Sequence, residues 1–231
     1  MNITIKSNKN NIKSKDKFRD DKELFKIIQY IHDNHEIPNI HNLIKRLFYC
    51  YNLNECEKEY NLILKMEERN FKELTYIYYI YYSWNPYSKY NLRELRGYFF
   101  EQLTLAYLRD NEKNEDITSE ANVHINNYIS HTWDFIIKNK CIFIECKFNH
   151  TSLKRQNLDK MIGLKNKINK SSIFFSSYSK KEMMIDYLHT LKKDTSTERY
   201  SEIIKHLNII SIENYIDKDM FKQQEIRQTD K

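Results

Sequence analysis

Glycine and proline are nearly missing from this chain, with two of each among 231 residues. A phosphate-cradling loop needs closely spaced glycines. Gly97 and Gly163 stand far apart, each inside a stretch with helical patterning, so ATP hydrolysis through such a loop is excluded. Cysteine is also scarce. Cys50, Cys56, Cys141 and Cys146 form no Cys-x-x-Cys pair, and no histidine pair stands beside them at zinc-ligand spacing. They read as reduced thiols of a cytoplasmic protein. A membrane span needs about 18 or more consecutive apolar residues. The nearest candidate, residues 76–84, is too short and too rich in tyrosine. The opening MNITIKSNKNNIKSKDKFRD holds no apolar segment of signal length. No membrane partner is expected.

What the chain does have is charge and aromatic bulk. Charged residues make up 30% of it, hydrophobic residues 40%, and the formal net charge is +6. A basic balance favours polyanionic partners, because each neutralised phosphate releases counterions. The crowding of Lys, Asn, Ile and Tyr also looks like the codon bias of an AT-rich genome, so the position of the charge matters more than its sum. Residues 1–20 are polar, lack periodicity and read as a flexible basic arm. Residues 21–90 read as a helical region. Leu24, Ile27, Ile28 and Ile31 recur at three-to-four spacing, Pro38 marks a break, and Ile40, Leu43, Ile44 and Leu47 share a second helical face. Asn54 can cap a third helix carrying Tyr60, Ile63 and Leu64. Three short helices suit either a helix-turn-helix or winged-helix-like DNA reader or a plain helical packing or dimerisation subdomain. The run TYIYYIYYSWNPYSKY, residues 75–90, reads as a mostly buried element ended by Asn85-Pro86.

From residue 91 the pattern changes. It predicts a helix at 91–109, strands at 121–128, 132–138 and 141–148, and a helix at 156–169. A strand at 172–178, helices at 180–192 and 197–206, and a strand at 208–213 follow. This order describes an α/β domain over 91–216, a mixed central sheet flanked by helices. Residues 217–231 read as a charged tail. The two glycines fall inside predicted helices, where each costs about 1 kcal/mol relative to alanine. Close backbone approach there would offset that cost.

The chemistry concentrates in residues 132–148, TWDFIIKNKCIFIECKF. Both arms are rich in β-branched and aromatic residues, and Asn139-Lys140 can form a two-residue turn. That turn pairs Lys138 with Cys141. Ile137 then faces Ile142, Ile136 faces Phe143, Phe135 faces Ile144, and Asp134 lies opposite Glu145. With period-two alternation, Asp134, Glu145 and Lys147 share one face. Two carboxylates about 5 Å apart at Cβ repel each other, and burial raises the cost. A hard divalent cation such as Mg²⁺ removes that cost. Lys147 would then orient or help deprotonate a water and stabilise charge on a phosphate.

Asp134 followed by Glu145-Cys146-Lys147, within this element order, resembles the PD-(D/E)XK nuclease superfamily, the restriction-endonuclease-like fold. The resemblance covers roughly residues 91–213. Trp133 stands where the family name has proline. The resemblance implies that the acidic pair holds Mg²⁺ or Mn²⁺ and that the lysine assists the water. It also implies a helix glutamate as a further ligand. Glu101 matches that place, on a predicted stripe with Tyr98, Leu105 and Leu108.

Eleven basic residues fall between Lys138 and Lys181, against two acids, Glu145 and Asp159. Lys154, Arg155, Lys160 and Lys165 are the candidate phosphate contacts. His124, His131 and His150 sit at strand ends and read as surface histidines, and Ser176 and Ser177 lack a nucleophile-elbow pattern. The expectation is a metal-dependent endonuclease acting on nucleic acid, most readily DNA. The alternatives are a winged-helix-like DNA-binding protein with a silent nuclease-fold domain, and an RNA nuclease on the same fold. Cutting both strands calls for two sites, hence a homodimer or a partner protein.

Overall fold

The computed structural model describes residues 3–37, 40–65, 71–112, 115–192 and 196–212. The chain divides into two compact units: Met1–Ser14 with Tyr107–Lys231, and Lys15–Ala106. Strand β1 (Ile3–Ser7) and helix α1 (Lys9–Ser14) open the first unit. The second unit carries α2 (Asp16–Arg19), α3 (Lys22–Asp33), α4 (Ile40–Tyr49), α5 (Leu53–Leu64) and α6 (Phe71–Trp84). A 3-10 turn at Pro86–Ser88 and most of α7 (Leu92–Asn111) complete it. The first unit resumes with β2 (Ile117–Ile125), β3 (Tyr128–Ile129), β4 (Trp133–Ile137) and β5 (Ile142–Lys147). A 3-10 turn at His150–Ser152, α8 (Arg155–Lys167), β6 (Ser172–Ser177), α9 (Lys181–Leu191), α10 (Thr197–His206) and β7 (Leu207–Ser211) follow. No described helix is long and apolar enough to cross a membrane. The expected tail at 217–231 and the break at Pro38 lie outside the described residues.

The helical unit follows the sequence pattern closely. Leu24, Ile27, Ile28 and Ile31 of α3 are buried, as the three-to-four spacing requires. Asp21 caps α3 through the Glu23 and Leu24 amides, each 3.1 Å away. The cap of α5 is Asn52 rather than Asn54. Its side chain takes the Glu55 amide at 3.0 Å, and the Glu55 carboxylate returns to the Tyr51 amide at 2.7 Å. The tyrosine-rich run forms α6, burying Ile77, Tyr78, Ile80, Tyr81 and Trp84 and exposing Tyr76, Tyr79 and Tyr82. A winged-helix reading needs a strand hairpin as the wing. The described residues of this unit contain no strand, so no wing is found among them. Nor is the close approach expected at the helix glycines. A Cβ on Gly97 would meet nothing within 4 Å, and one on Gly163 only the Tyr128 hydroxyl at 3.7 Å.

The other unit is α/β, built on a seven-stranded mixed sheet in the order β1-β2-β4-β5-β6-β7, with β3 paired to β2. Strands β1, β2, β4 and β5 each run antiparallel to the next, while β6 and β7 continue parallel to β5. The residues expected to form a flexible arm instead supply β1, which pairs Ile3 with Ile125 through Ser7 with Ala121. The alternation of Ile3 and Ile5 with polar neighbours was too short to stand out from the surrounding lysines and asparagines. The expected strand at 121–128 begins earlier, at Ile117, and turns at residues 126–127 into β3. One sheet face packs Val123, Ile136, Phe143, Ile173 and Phe175 against Leu158 and Met161 of α8, Met184 and Leu188 of α9, and Ile203 of α10. This apolar layer holds the β4–β5 hairpin rigidly.

Candidate active site

The β4–β5 hairpin has the register its sequence predicts, with Phe135 opposite Ile144, Ile136 opposite Phe143 and Ile137 opposite Ile142. The turn differs. Residues 138–141 form a four-residue connection, closed by the Cys141 amide on the Lys138 carbonyl at 3.1 Å, with Cys141 at φ 51°. A four-residue loop built on a turn preserves the pairing that a two-residue loop would give, so the slip in turn type left the register unchanged.

Three charged side chains stand on the hairpin's two strands. Glu145 is 5% exposed. Its Oε1 accepts from Lys147 Nζ at 2.5 Å, so the two do share a face. Asp134 Oδ2 accepts from the Cys146 backbone amide at 2.6 Å, which ties the aspartate across to β5. Burial alone would raise the Glu145 carboxyl, but the His131 ring and the Lys147 ammonium hold it below the ordinary glutamate range. Burial likewise pulls against the Lys147 charge, yet Glu145 and Asp134 outweigh it and keep the proton on well above the ordinary lysine range. In this arrangement Lys147 is a fixed cation, suited to stabilising negative charge rather than to taking a proton.

Two further side chains belong to this neighbourhood. Glu120 on β2 falls between the pairs Ser119–Phe135 and Ala121–Trp133, which places it opposite Asp134. One carboxylate oxygen of each lies within 4.8 Å of the other. Glu120 is buried and has φ 49°, a conformation that costs a residue with a Cβ about 1–2 kcal/mol. The N-terminal segment secures it. The Asn8 amide donates to the Glu120 carbonyl at 2.6 Å, Asn11 Nδ2 donates to Glu120 Oε2 at 3.1 Å, and Asn8 Nδ2 donates to Thr132 Oγ1 at 2.8 Å. The second is His131, which the sequence placed on the surface. Its side chain is only 11% exposed, and Nε2 stands 3.3 Å from Glu145 Oε2. That is ion-pair reach, but the alignment falls short of a hydrogen bond, so both atoms keep unmet capacity.

No known family model matches this chain, and no curated protein matches it. The site therefore rests on its own geometry. The described residues bring together Asp134, Glu145 and Lys147, with Glu120 and His131 beside them. Glu101 lies in the helical unit, half-buried, its carboxylate paired with Lys15. The basic residues after β5 divide. Lys154, Arg155 and Lys160 are exposed along the first turns of α8. Lys165 is half-buried, and its ammonium donates to the Asn169 carbonyl at 2.9 Å and to the Ser171 carbonyl. It fastens the end of α8 rather than offering charge to a phosphate. His150 meets Ser179 Oγ at 3.1 Å, away from the carboxylates' own hydrogen bonds. The four cysteines are free thiols.

Glu120 was missed because the predicted strand began one residue too late. Only the β2–β4 register reveals it. His131 had one available signal, its place three residues before Asp134 on the way into a strand otherwise made for burial.

Proposed function

We propose that this protein is a metal-dependent nuclease that hydrolyses phosphodiester bonds, in DNA by preference, at the Asp134–Glu145–Lys147 site. The observation that carries the reading is the hairpin, which sets a buried glutamate, a lysine and an aspartate on one small area of two otherwise apolar strands. Such a cluster costs folding energy unless a cation or substrate completes it. The donor set fits a divalent ion: the carboxylates of Asp134 and Glu145 are hard oxygen ligands, and the buried Glu145 Oε2 has no hydrogen-bond partner. Mg²⁺ or Mn²⁺ held there would supply Lewis-acid polarisation of the phosphate and a more acidic bound water.

The chain's own groups do the rest. Asp134, anchored on the Cys146 amide, presents its second oxygen from a fixed position. Lys147, held beside the site by Glu145, stabilises charge developing on a non-bridging phosphate oxygen. As the water oxygen bonds to phosphorus it gives up a proton to solvent, the bond to the departing sugar oxygen breaks, and that oxygen takes up a proton from solvent. Lys154, Arg155 and Lys160, immediately beyond β5, would track the backbone phosphates. The element order also supports the resemblance to the PD-(D/E)XK fold: a helix, three antiparallel strands, a helix, then a strand parallel to the third. The same resemblance implies a ligand role for Glu101.

Plasmid DNA and a structured RNA, digested side by side with Mg²⁺, Mn²⁺ or chelator, test the reading. Cleavage of DNA that needs the ion and is lost in Asp134→Asn is the expected result. If the wild-type protein cuts neither polymer with either ion, or Asp134→Asn cuts as well as wild type, the reading is overturned. Faster cutting of RNA would move the substrate class without moving the site.

A further inference from the structure

His131 and Glu145 leave a specific deficit. Both ring nitrogens of His131, the indole nitrogen of Trp133 and Glu145 Oε2 are buried without a hydrogen-bond partner. Buried polar atoms are nearly always paired, so His131 Nε2 and Glu145 Oε2, facing each other and both unpaired, point to a missing group. The His131 ring is not free to turn away. It packs against the Trp133 indole with ring centroids 4.3 Å apart, and Trp133 is itself wedged against Phe143 at 5.5 Å. Trp133 is fully buried. The imidazole is therefore held with Nε2 toward Glu145 Oε2 at 3.3 Å.

That separation has a meaning in coordination geometry. Two donor atoms each about 2.0–2.2 Å from one ion, at an angle between octahedral and tetrahedral, lie about 2.8–3.6 Å apart. The pair is thus spaced as neighbouring ligands of one ion. We propose that His131 Nε2 is a ligand of the same cation as Glu145 Oε2, and that this nitrogen makes the site select Mn²⁺ over Mg²⁺. The inference rests on the metal-site reading above and adds to it a nitrogen donor. Mg²⁺ takes oxygen ligands and gives up its waters reluctantly, whereas imidazole suits first-row transition ions. The competing arrangement, in which His131 only donates a proton to the carboxylate, leaves the choice of ion to the oxygens.

Ion binding separates these cases without reference to cleavage. Mn²⁺ is titrated by electron paramagnetic resonance, and Mg²⁺ by its competition with Mn²⁺, on wild type, His131→Gln and Asp134→Asn, with circular dichroism melts to show that each is folded. Expected is a wild-type preference for Mn²⁺ that falls about 10- to 100-fold in His131→Gln, through weaker Mn²⁺ binding with Mg²⁺ nearly unchanged. Bound Mn²⁺ should also show the electron spin-echo modulation of a directly coordinated imidazole nitrogen, absent from His131→Gln. An unchanged ion preference, or no nitrogen modulation in wild type, overturns the histidine ligand while leaving the metal site standing. Wild type binding neither ion, or Asp134→Asn binding Mn²⁺ as well as wild type, overturns the metal site itself and the histidine ligand with it.

Discussion

Asp21 in the helical unit and Glu145 in the sheet unit are carboxylates removed from free solvent to different ends. Asp21 is saturated. It accepts from the Glu23 and Leu24 amides at 3.1 Å each, from Trp84 Nε1 at 2.8 Å and from the Tyr90 hydroxyl at 2.6 Å. Glu145, far more deeply buried, has one oxygen on Lys147 and the other without a hydrogen bond, beside a histidine that is equally unfulfilled. A carboxylate with every lone pair used is part of the frame. One held in a costly position with an oxygen unpartnered is the candidate for binding a ligand. Asp21 belongs to no motif, Glu145 falls in the Glu145-Cys146-Lys147 motif, and the structure separates the two by how fully their oxygens are used.

Substitutions can break or sharpen that contrast. The largest effect is expected from Glu145→Gln. Cleavage should fall at least about 10³-fold, and the ion-induced stabilisation, about 2.7 kcal/mol at a hundredfold excess over the dissociation constant, should vanish from thermal melts. Asp21→Asn should keep both. If Asp21→Asn loses ion uptake as well, the distinction between the two acids collapses. Lys147→Met comes next. In chelator it should cost about 3 kcal/mol in urea unfolding, because it strands the buried Glu145 charge. Adding Glu145→Gln to that variant should recover most of the loss, and a purely additive double mutant would deny that the two side chains act as a pair.

Asp21→Ala is expected to cost about 2 kcal/mol through the lost helix cap and the orphaned Trp84 and Tyr90 donors. The pH dependence has a definite sign. Burial would raise the Asp21 carboxyl, but its hydrogen bonds from Tyr90, Leu24, Trp84 and Glu23 hold it below the ordinary aspartate value of 3.8. Its folded value lies under its unfolded value, so its contribution is in place above about pH 3.8 and drains away as the pH falls through the lowered range. Unfolding midpoints compared between wild type and Asp21→Ala should converge on acidification. The smallest effect is expected at the hairpin turn. Cys141, at φ 51°, sits where glycine is at ease, so Cys141→Gly should gain up to about 1 kcal/mol with cleavage unchanged.

Much of this architecture was legible from local pattern. Period two in TWDFIIKNKCIFIECKF set both strands and their register, and apolar spacing marked α3, α8 and α10 to within a residue or two. What escaped was non-local. The opening ITIKS has the alternation of a strand but no length, and becomes one only because the β2 edge pairs with it. Glu120 stood one residue before the predicted strand at 121–128, and only the pairing of β2 with β4 sets it against Asp134. The helices before residue 90 suggested a wing that no described strand supplies. Lys165 counted as surface charge until its contacts with the two carbonyls became visible.

The order of residues along the chain determined by itself where strands and helices form and which hairpin residues share a face, because those follow from the 3.6 and 2.0 periods and from turn length. Tertiary structure alone decided which distant groups gather around that face. Asn8 and Asn11 brace Glu120 from more than a hundred residues away, and the Trp133–Phe143 packing aims His131 at Glu145. Hydrogen bonds and ring contacts act over a few ångströms of space, and no spacing along the sequence measures that distance.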